Sequence, residues 1–276
     1  MEMTISEQLL YSTVKICCTY NDGNSGSGTG FIFNFCKNAE LSIPCVVTNC
    51  HVIENASHIH FEFCKMDKQG NPNNLETIKY DSDGTQWIRH PSGIDLCCLP
   101  IGAYLNFLRN RNIDVFYVAL DIGLIPDEKT IEDLAAIEET IMVGYPIGIE
   151  DFYNHKPIIR KGITATHIKY NYQAKSEFLV DMACFPGSSG SPVFILNEGS
   201  YTKKHDVIIG SRLLFVGILY GGPQHQVNGE VALYSLPNYY TKTRIPTNLG
   251  SVIKSSELMK FEEIFAKIKK GEKNGI

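Results

Sequence analysis

Residues 185–192 read FPGSSGSP. Ser188, Ser189 and Ser191 crowd around Gly187 and Gly190, with Pro186 and Pro192 outside them. A serine hydroxyl is a weak nucleophile near neutral pH. It needs a general base, a group that orients the base, and donors aimed at the developing oxyanion. Alone, the segment also reads as a Gly/Ser/Pro turn without chemistry. Its meaning depends on whether a histidine and an aspartate stand in matching settings elsewhere.

The rest of the chain narrows the classes. With 276 residues it is long enough for one large all-β domain or two smaller ones, and for a real core. It is 43% hydrophobic and 20% charged, the composition of a globular protein and not of a disordered one. The net charge is −5 and basic residues are scattered, with no cluster longer than short pairs such as Lys203-Lys204 and Lys269-Lys270, so no nucleic-acid footprint is expected. No apolar run approaches the roughly 20 residues that span a bilayer. The N-terminal stretch MEMTISEQLLYSTVKICCTY has no signal-peptide pattern, which predicts a cytoplasmic protein and no membrane partner. The nine cysteines are odd in number and contain no C-x-x-C, so they read as small buried hydrophobes, without metal and without a cofactor.

The texture is strand-like. Short runs rich in Val, Ile, Phe and Tyr lie at 14–20, 30–35, 45–48, 58–63, 95–99, 115–120, 140–144, 162–168, 178–182, 192–196, 207–209, 213–219 and 231–235. Gly, Asn, Asp and Pro punctuate them. Many short strands and few helices predict a β barrel or sandwich. Residues 131–139 could form one or two helical turns in a connection. From Ser255 onward, Leu258, Phe261, Ile264, Phe265 and Ile268 recur at helical spacing until Gly271, which predicts an amphipathic helix packed on the β structure.

Of the eight histidines, His58 and His60 alternate within one strand, His167 ends another, and His90, His155, His205 and His225 lie in turn-like surroundings. Each reads blandly as exposed or hydrogen-bonded. His51 differs, because it ends the apolar run CVVTNC and sits where a strand gives way to a helix or loop. Asp95, in GIDLCCLPI, places one carboxylate before an apolar strand, where burial is costly unless it is paired. Asp114, in NIDVFYVAL, has a similar setting and competes with it.

These segments resemble a family. VVTNCHVIENA, GIDLCCLPIG and DMACFPGSSGSPVF look like the His, Asp and Ser segments of chymotrypsin-fold serine proteases, closest to the HtrA-type and glutamyl-endopeptidase branches. GSGTGFIF at 26–33, VGYPIG at 143–148, RKGITAT at 160–166 and FVGILYGG at 215–222 follow in the family's order. The resemblance implies an all-β fold of two antiparallel barrels, at about 10–120 and 140–250, with a C-terminal helix at 255–271, all one peptidase domain. It implies Ser189 as nucleophile, His51 as base and Asp95 as its orienting partner. The oxyanion hole falls on the backbone of Gly187, Ser188 and Ser189, and Ser191 is left as a packed turn residue. Ala183, Cys184 and Leu219 then wall the substrate pocket, with Tyr220, Gly221 and Gly222 beside the substrate backbone. An α/β-hydrolase elbow, G-x-S-x-G, fails because Ser191 follows Gly190.

Two departures from the family carry information. Digestive relatives place an aspartate before the nucleophile, to pair with a newly cut N-terminus; here Ser188 stands there and has no charge to offer. Activation by cleavage is therefore not expected, and a regulatory protein partner or narrow substrate gating takes its place. No acid stands at Ala183, and Leu219 replaces the histidine of glutamyl endopeptidases, so a neutral, apolar P1 residue is expected. The stretch TKKHDVIIGSRLL is longer than its counterparts and predicts an extended hairpin that meets a partner or a particular substrate. The expected partner is thus a protein or peptide substrate. The rival from another class is a protease-like scaffold that binds peptides without cutting them.

Overall fold

The computed structural model describes residues 3–38, 41–204, 206–231 and 239–269. A short capped helix α1 (Ile5–Leu9) leads into strands β1 (Thr13–Tyr20), β2 (Ser25–Phe35) and β3 (Ile43–Thr48). Helix α2 (Cys50–Ile53) follows, then β4 (Ala56–Met66), β5 (Pro72–Ser82), β6 (Ile88–Arg89) and β7 (Cys97–Pro100). Helix α3 (Gly102–Arg109), β8 (Val115–Phe116), β9 (Leu120–Asp121) and α4 (Glu128–Asp133) form the connection. The second half runs through β10 (Glu139–Gly144), β11 (Ile158–Thr164), β12 (Glu177–Asp181), β13 (Pro192–Asn197), β14 (Ser200–Lys203), β15 (Asp206–Ile209) and β16 (Arg212–Gly221). It ends with β17 (Gln224–Val231), β18 (Tyr239–Pro246), β19 (Leu249–Lys254) and α5 (Met259–Lys269). Among the described residues no helix is long and apolar enough to cross a membrane.

The second half closes into a six-stranded barrel in the order β10-β11-β12-β19-β16-β13. The first half does not close, which corrects the expectation of two barrels. It is an open sheet, β5-β4-β1-β2-β3-β7-β6, with β8 added on β4 and β9 lying parallel to β2. The reason lies at its edges. Residues 83–87 alone join β5 to β6, a reach of roughly 20 Å, whereas seven strands laid flat span roughly 29 Å. The sheet must curl until its edges face each other. β6 has only two residues, too short a ladder to seal the seam.

Other expectations shift locally. The expected helix at 131–139 sits at Glu128–Asp133, capped by the Asp127 carboxylate on the Thr130 N–H at 2.8 Å. The run 115–120 is broken into β8 and β9. The lengthened stretch forms the β14–β15 hairpin, with Val207 and Ile209 exposed. Of the expected strand 231–235 only residue 231 is described, at the end of β17, and Gly271 and His205 lie outside the described residues.

Strand β2 divides the molecule. Phe31, Phe33 and Phe35 enter a core shared with Phe194, Phe215 and Ile253 of the barrel, while Ile32 enters the first half's own core with Ile16, Val46 and Leu99. This is the period-two alternation of a strand buried on both faces. Phe31 meets the Phe215 ring edge-on at 5.3 Å. Helix α5 closes the far end, with Phe265 5.2 Å from Phe35 and the Glu262 carboxylate accepting the Cys36 N–H at 3.0 and 2.9 Å.

His90 ties this helix to the loop before β7. It is buried, stacks edge-on against Phe261 at 5.5 Å, and accepts the Ser92 N–H on Nδ1 at 3.3 Å. Its Nε2 therefore carries the proton and donates to the Glu257 carbonyl at 3.2 Å. Burial holds its pKa below 6.5, against the opposing pull of Glu257. The unfolded chain takes up a proton near pH 6.5 that the folded chain refuses, so this contribution is present above pH 6.5 and is lost as pH falls below it. The free energy of urea unfolding should fall between pH 7.5 and 5.5 by at most about 1.4 kcal/mol per pH unit from this group. His90→Gln should remove that part of the slope.

Candidate functional site

His51 lies in α2, immediately after β3, as the change from an apolar strand to polar residues requires. Asp95 lies in the turn before β7, and not in the strand itself. β3 and β7 are paired neighbours, with Thr48 opposite Cys97, so their ends bring the two residues together. His51 Nδ1 is 2.5 Å from Asp95 Oδ2, and the His51 backbone N–H donates to Oδ1 at 3.0 Å. An ionised carboxylate only accepts, so Nδ1 carries the proton and Nε2 presents a lone pair. Buried Asn49 donates its amide to the Asp95 carbonyl at 2.8 Å. Asp114 is absent from this cluster; its carbonyl accepts the Met66 N–H at 2.9 Å, beside β8.

Ser189 precedes β13 on the opposing half. Its turn is packed on the His51 segment through β2: Gly28 lies directly against the side chain of Val52, and the next residue, Thr29, donates its N–H to the Ser189 carbonyl at 2.8 Å. The Ser189 hydroxyl donates to the Tyr220 carbonyl at 3.2 Å. Among the described residues no hydrogen bond joins it to His51.

The turn before it follows from its sequence. Pro186 and Gly187 occupy the central positions between Phe185 and Ser188, and the Ser188 N–H donates to the Phe185 carbonyl at 3.0 Å. Gly187 has φ +86°, so the pattern is a type II turn, which wants Pro first and Gly second. Each peptide here is held by its carbonyl. Pro186 O accepts from Ile147 N at 2.6 Å, Gly187 O from the Thr29 hydroxyl at 3.0 Å, and Ser188 O from Ser191 N at 3.0 Å. In a trans peptide the N–H points away from the carbonyl. The Gly187 and Ser189 N–H groups are thus turned away from these anchors, and among the described residues they donate to nothing. The Ser188 N–H is already used within the turn, whose shape it helps to set, and the Gly187 and Ser189 N–H groups are the available donors. Ser191 is fully buried, as a packed turn residue should be.

A cavity of about 250 Å³ adjoins Ser189. Cys184 and Leu219 line it, as do Gly221 and Gly222, together with Phe185, Pro186, Pro223 and Leu249. Ala183 and Tyr220 do not. The Tyr220 ring is turned away, its hydroxyl donating to Glu177 at 2.8 Å, and burial beside that carboxylate pushes its pKa up to about 12. Burial likewise pushes the Cys184 thiol up to about 11, so it is neutral at ordinary pH. No lining residue is charged; the nearby Arg160 guanidinium lies over the Phe185 ring at 5.1 Å. Phe185 and Pro186 were legible from their place before the nucleophile. Leu249 was not, because it comes from β19, which lacks a distinct apolar run.

His58, His60 and Asp81 gather on paired strands β4 and β5, with His58 Nε2 2.9 Å from Asp81 Oδ1. The Lys79 ammonium lies 3.2 Å from the same oxygen, so the carboxylate is already met by a cation. All nine cysteines are free.

A family model described as a trypsin-like peptidase domain matches residues 28–201. No curated protein sequence matches the chain. Among solved structures, an HtrA-type protease, AlgW with tripeptide, is similar at 15% identity and TM-score 0.48, over 96% of this chain and 62% of that one. The Rv3671c protease from M. tuberculosis, in its active form, is similar at 12% identity and TM-score 0.46, over 91% of this chain and 79% of that one. A serine endoprotease from Yersinia pestis is similar at 14% identity and TM-score 0.45, over 98% and 69% respectively. The chain thus spans less than two thirds of the AlgW structure's length.

Gly190 fixes how closely the turn can approach β2. It has φ +88°, and a Cβ there would lie 1.9 Å from the Thr29 carbonyl oxygen, a main-chain atom that cannot step aside. Gly190→Ala should cost at least about 2 kcal/mol in urea unfolding, whereas an alanine at Gly199, where φ is +90° and no atom lies within 4 Å, carries only the backbone strain.

Proposed function

The chain belongs to the trypsin-like peptidase domain family, and from that premise we propose that it is a serine endopeptidase acting through Ser189, His51 and Asp95. The observation that carries this reading is the oriented imidazole. Asp95 holds both the ring and the backbone of His51, leaving Nε2 as a base on the segment against which the Ser189 turn packs. The family implies protein substrates; the one-domain organisation over 1–276 is part of the same proposal.

Ser189 leaves the Tyr220 carbonyl by rotating about its Cα–Cβ bond and gives its proton to His51 Nε2 as Oγ attacks the scissile carbonyl carbon. One neutral hydrogen bond is worth only about 1 kcal/mol, so this release is a small cost. Asp95 stabilises the imidazolium that forms. The Gly187 and Ser189 N–H groups receive the oxyanion. Collapse expels the amine, which takes the proton from His51, and water then hydrolyses the acyl-enzyme by the reverse proton route. The cavity would take the P1 side chain. Its uncharged lining, with Leu219 at the position of the glutamyl endopeptidases' histidine, supports an apolar P1 residue.

The bond from Ser189 to Tyr220 favours a second reading, a silent peptide-binding scaffold. A regulatory partner fits either reading. The loop that pins Pro186 exposes Ile147, Ile149, Phe152 and Tyr153, and the β14–β15 hairpin exposes Val207 and Ile209. The nine free thiols support a reducing setting, the cytoplasm.

A fluorophosphonate probe separates the two readings. The wild type should be labelled, and Ser189→Ala should lose the label completely; a folded wild type that never labels would leave the scaffold. A peptide library should show cleavage after apolar residues, and Leu219→His should raise the relative rate after glutamate by at least about tenfold. Preference for a charged P1 side chain in the wild type would overturn the pocket assignment.

A further inference from the structure

The turn that presents the Gly187 and Ser189 N–H groups has no charged anchor of its own. Ser188 is fully buried, and its hydroxyl has no hydrogen-bond partner. Three peptides must nevertheless keep one orientation, because a rotation of the Pro186–Gly187 peptide would point a carbonyl, instead of an N–H, at the substrate. The segments that hold this turn converge on one side chain of β2.

Thr29 is fully buried. Its hydroxyl donates to the Gly187 carbonyl at 3.0 Å and accepts the Tyr145 N–H at 3.0 Å. The oxygen therefore bridges the turn to the loop whose next-but-one residue, Ile147, pins the Pro186 carbonyl at 2.6 Å. The Thr29 main chain adds a second grip, with its N–H on the Ser189 carbonyl at 2.8 Å. The position of Thr29 is itself set by the Thr48 hydroxyl, which donates to the Thr29 carbonyl at 2.7 Å, three residues before His51. One side chain thus touches the turn and its supporting loop, and its own main chain is tied to the strand that carries the base.

We propose that Thr29 is the positioning residue of the oxyanion turn. Its hydroxyl keeps the Gly187 and Ser189 N–H groups aimed at the reacting carbonyl in the resting protein, in place of a charged pair at Ser188. This rests on the serine-peptidase reading above. A hydroxyl suits the task because it donates and accepts at once. It can satisfy the Gly187 carbonyl and the Tyr145 N–H together, which neither a methyl nor a charged group of that size can do. The corollary is a turn assembled without a cleavage step, held by uncharged hydrogen bonds that salt does not screen.

The test is the labelling kinetics of the full chain with a fluorophosphonate. In that reaction Ser189 Oγ bonds to phosphorus, fluoride leaves, and the proton departs through His51. The phosphoryl oxygen sits where the oxyanion would. Thr29→Val keeps the shape and removes the hydroxyl. It should lower the maximal labelling rate about 10- to 100-fold, less than the loss of a whole donor, with the concentration for half-maximal rate unchanged within about threefold. Thr29→Ser should restore the rate to within about threefold of wild type. A general loss of structure would not produce this split or this rescue, and melting temperatures are read on the same samples. If Thr29→Val does not fold, Thr29→Cys, whose thiol is a weak donor, should show a smaller loss with the same split. Labelling of the folded valine or cysteine variant at the wild-type rate, or a serine variant that fails to recover, overturns the role of Thr29 and leaves the peptidase reading standing. A wild type that never labels, or a Ser189→Ala protein that still labels, overturns that reading and the role of Thr29 with it.

Discussion

Strand β2 is buried on both faces from Gly28 to Phe33, and the remaining structure is arranged around that fact. Its phenylalanines pack into the barrel and under α5, while Ile32 packs into the first half's own sheet. A strand so placed cannot shift register by one residue without exchanging the contents of two cores. Its N-terminal end therefore holds Gly28 against the helix of His51 and Thr29 against the turn of Ser189. The apolar pattern of one strand fixes the relative position of groups that come from distant parts of the chain.

The polar interactions of the site are divided between anchors and working groups. Carbonyls of the turn are satisfied by Ile147, Thr29 and Ser191, which leaves N–H groups unspent. Both Asp95 oxygens are spent on His51, which leaves Nε2 unspent. Leaving a donor or acceptor unpaired is costly where water is excluded. Here His51 is exposed and Gly187 and Ser189 are only half-buried, so their unspent groups do not carry that full cost. The Ser189 hydroxyl is the exception, resting on a carbonyl it can leave by a single bond rotation.

Charge is kept at the surface of this arrangement. The cavity beside Ser189 has an uncharged lining, and burial keeps the Cys184 thiol protonated. The buried Cys97 and Cys98 thiols are likewise pushed well up, so they behave as packing groups and not as nucleophiles. His90 follows the same rule, held neutral between Ser92 and Glu257 under the C-terminal helix.

The sequence by itself determined the β class, most of the strands, the C-terminal helix, and the segments around His51, Asp95 and Ser189. These are local properties: period-two burial, the helical spacing of Phe261 and Phe265, and the residue types a turn demands, such as Pro186-Gly187. It also left Asp95 and Asp114 as competitors, since both stand before apolar runs. The family resemblance named Asp95, and only the tertiary structure gives the physical reason that it meets His51, since β7 is the strand beside β3. The tertiary structure alone decided that the first half stays open, since closure depends on the two-residue length of β6 and the short link before it. Ala183 read as a pocket wall and is not one, while Leu249 arrived from the unforeseen strand β19. Thr29 was legible only as part of a glycine-led strand. The partners of its hydroxyl lie more than a hundred residues away, and hydrogen bonds of that range leave no periodic trace in the chain that makes them.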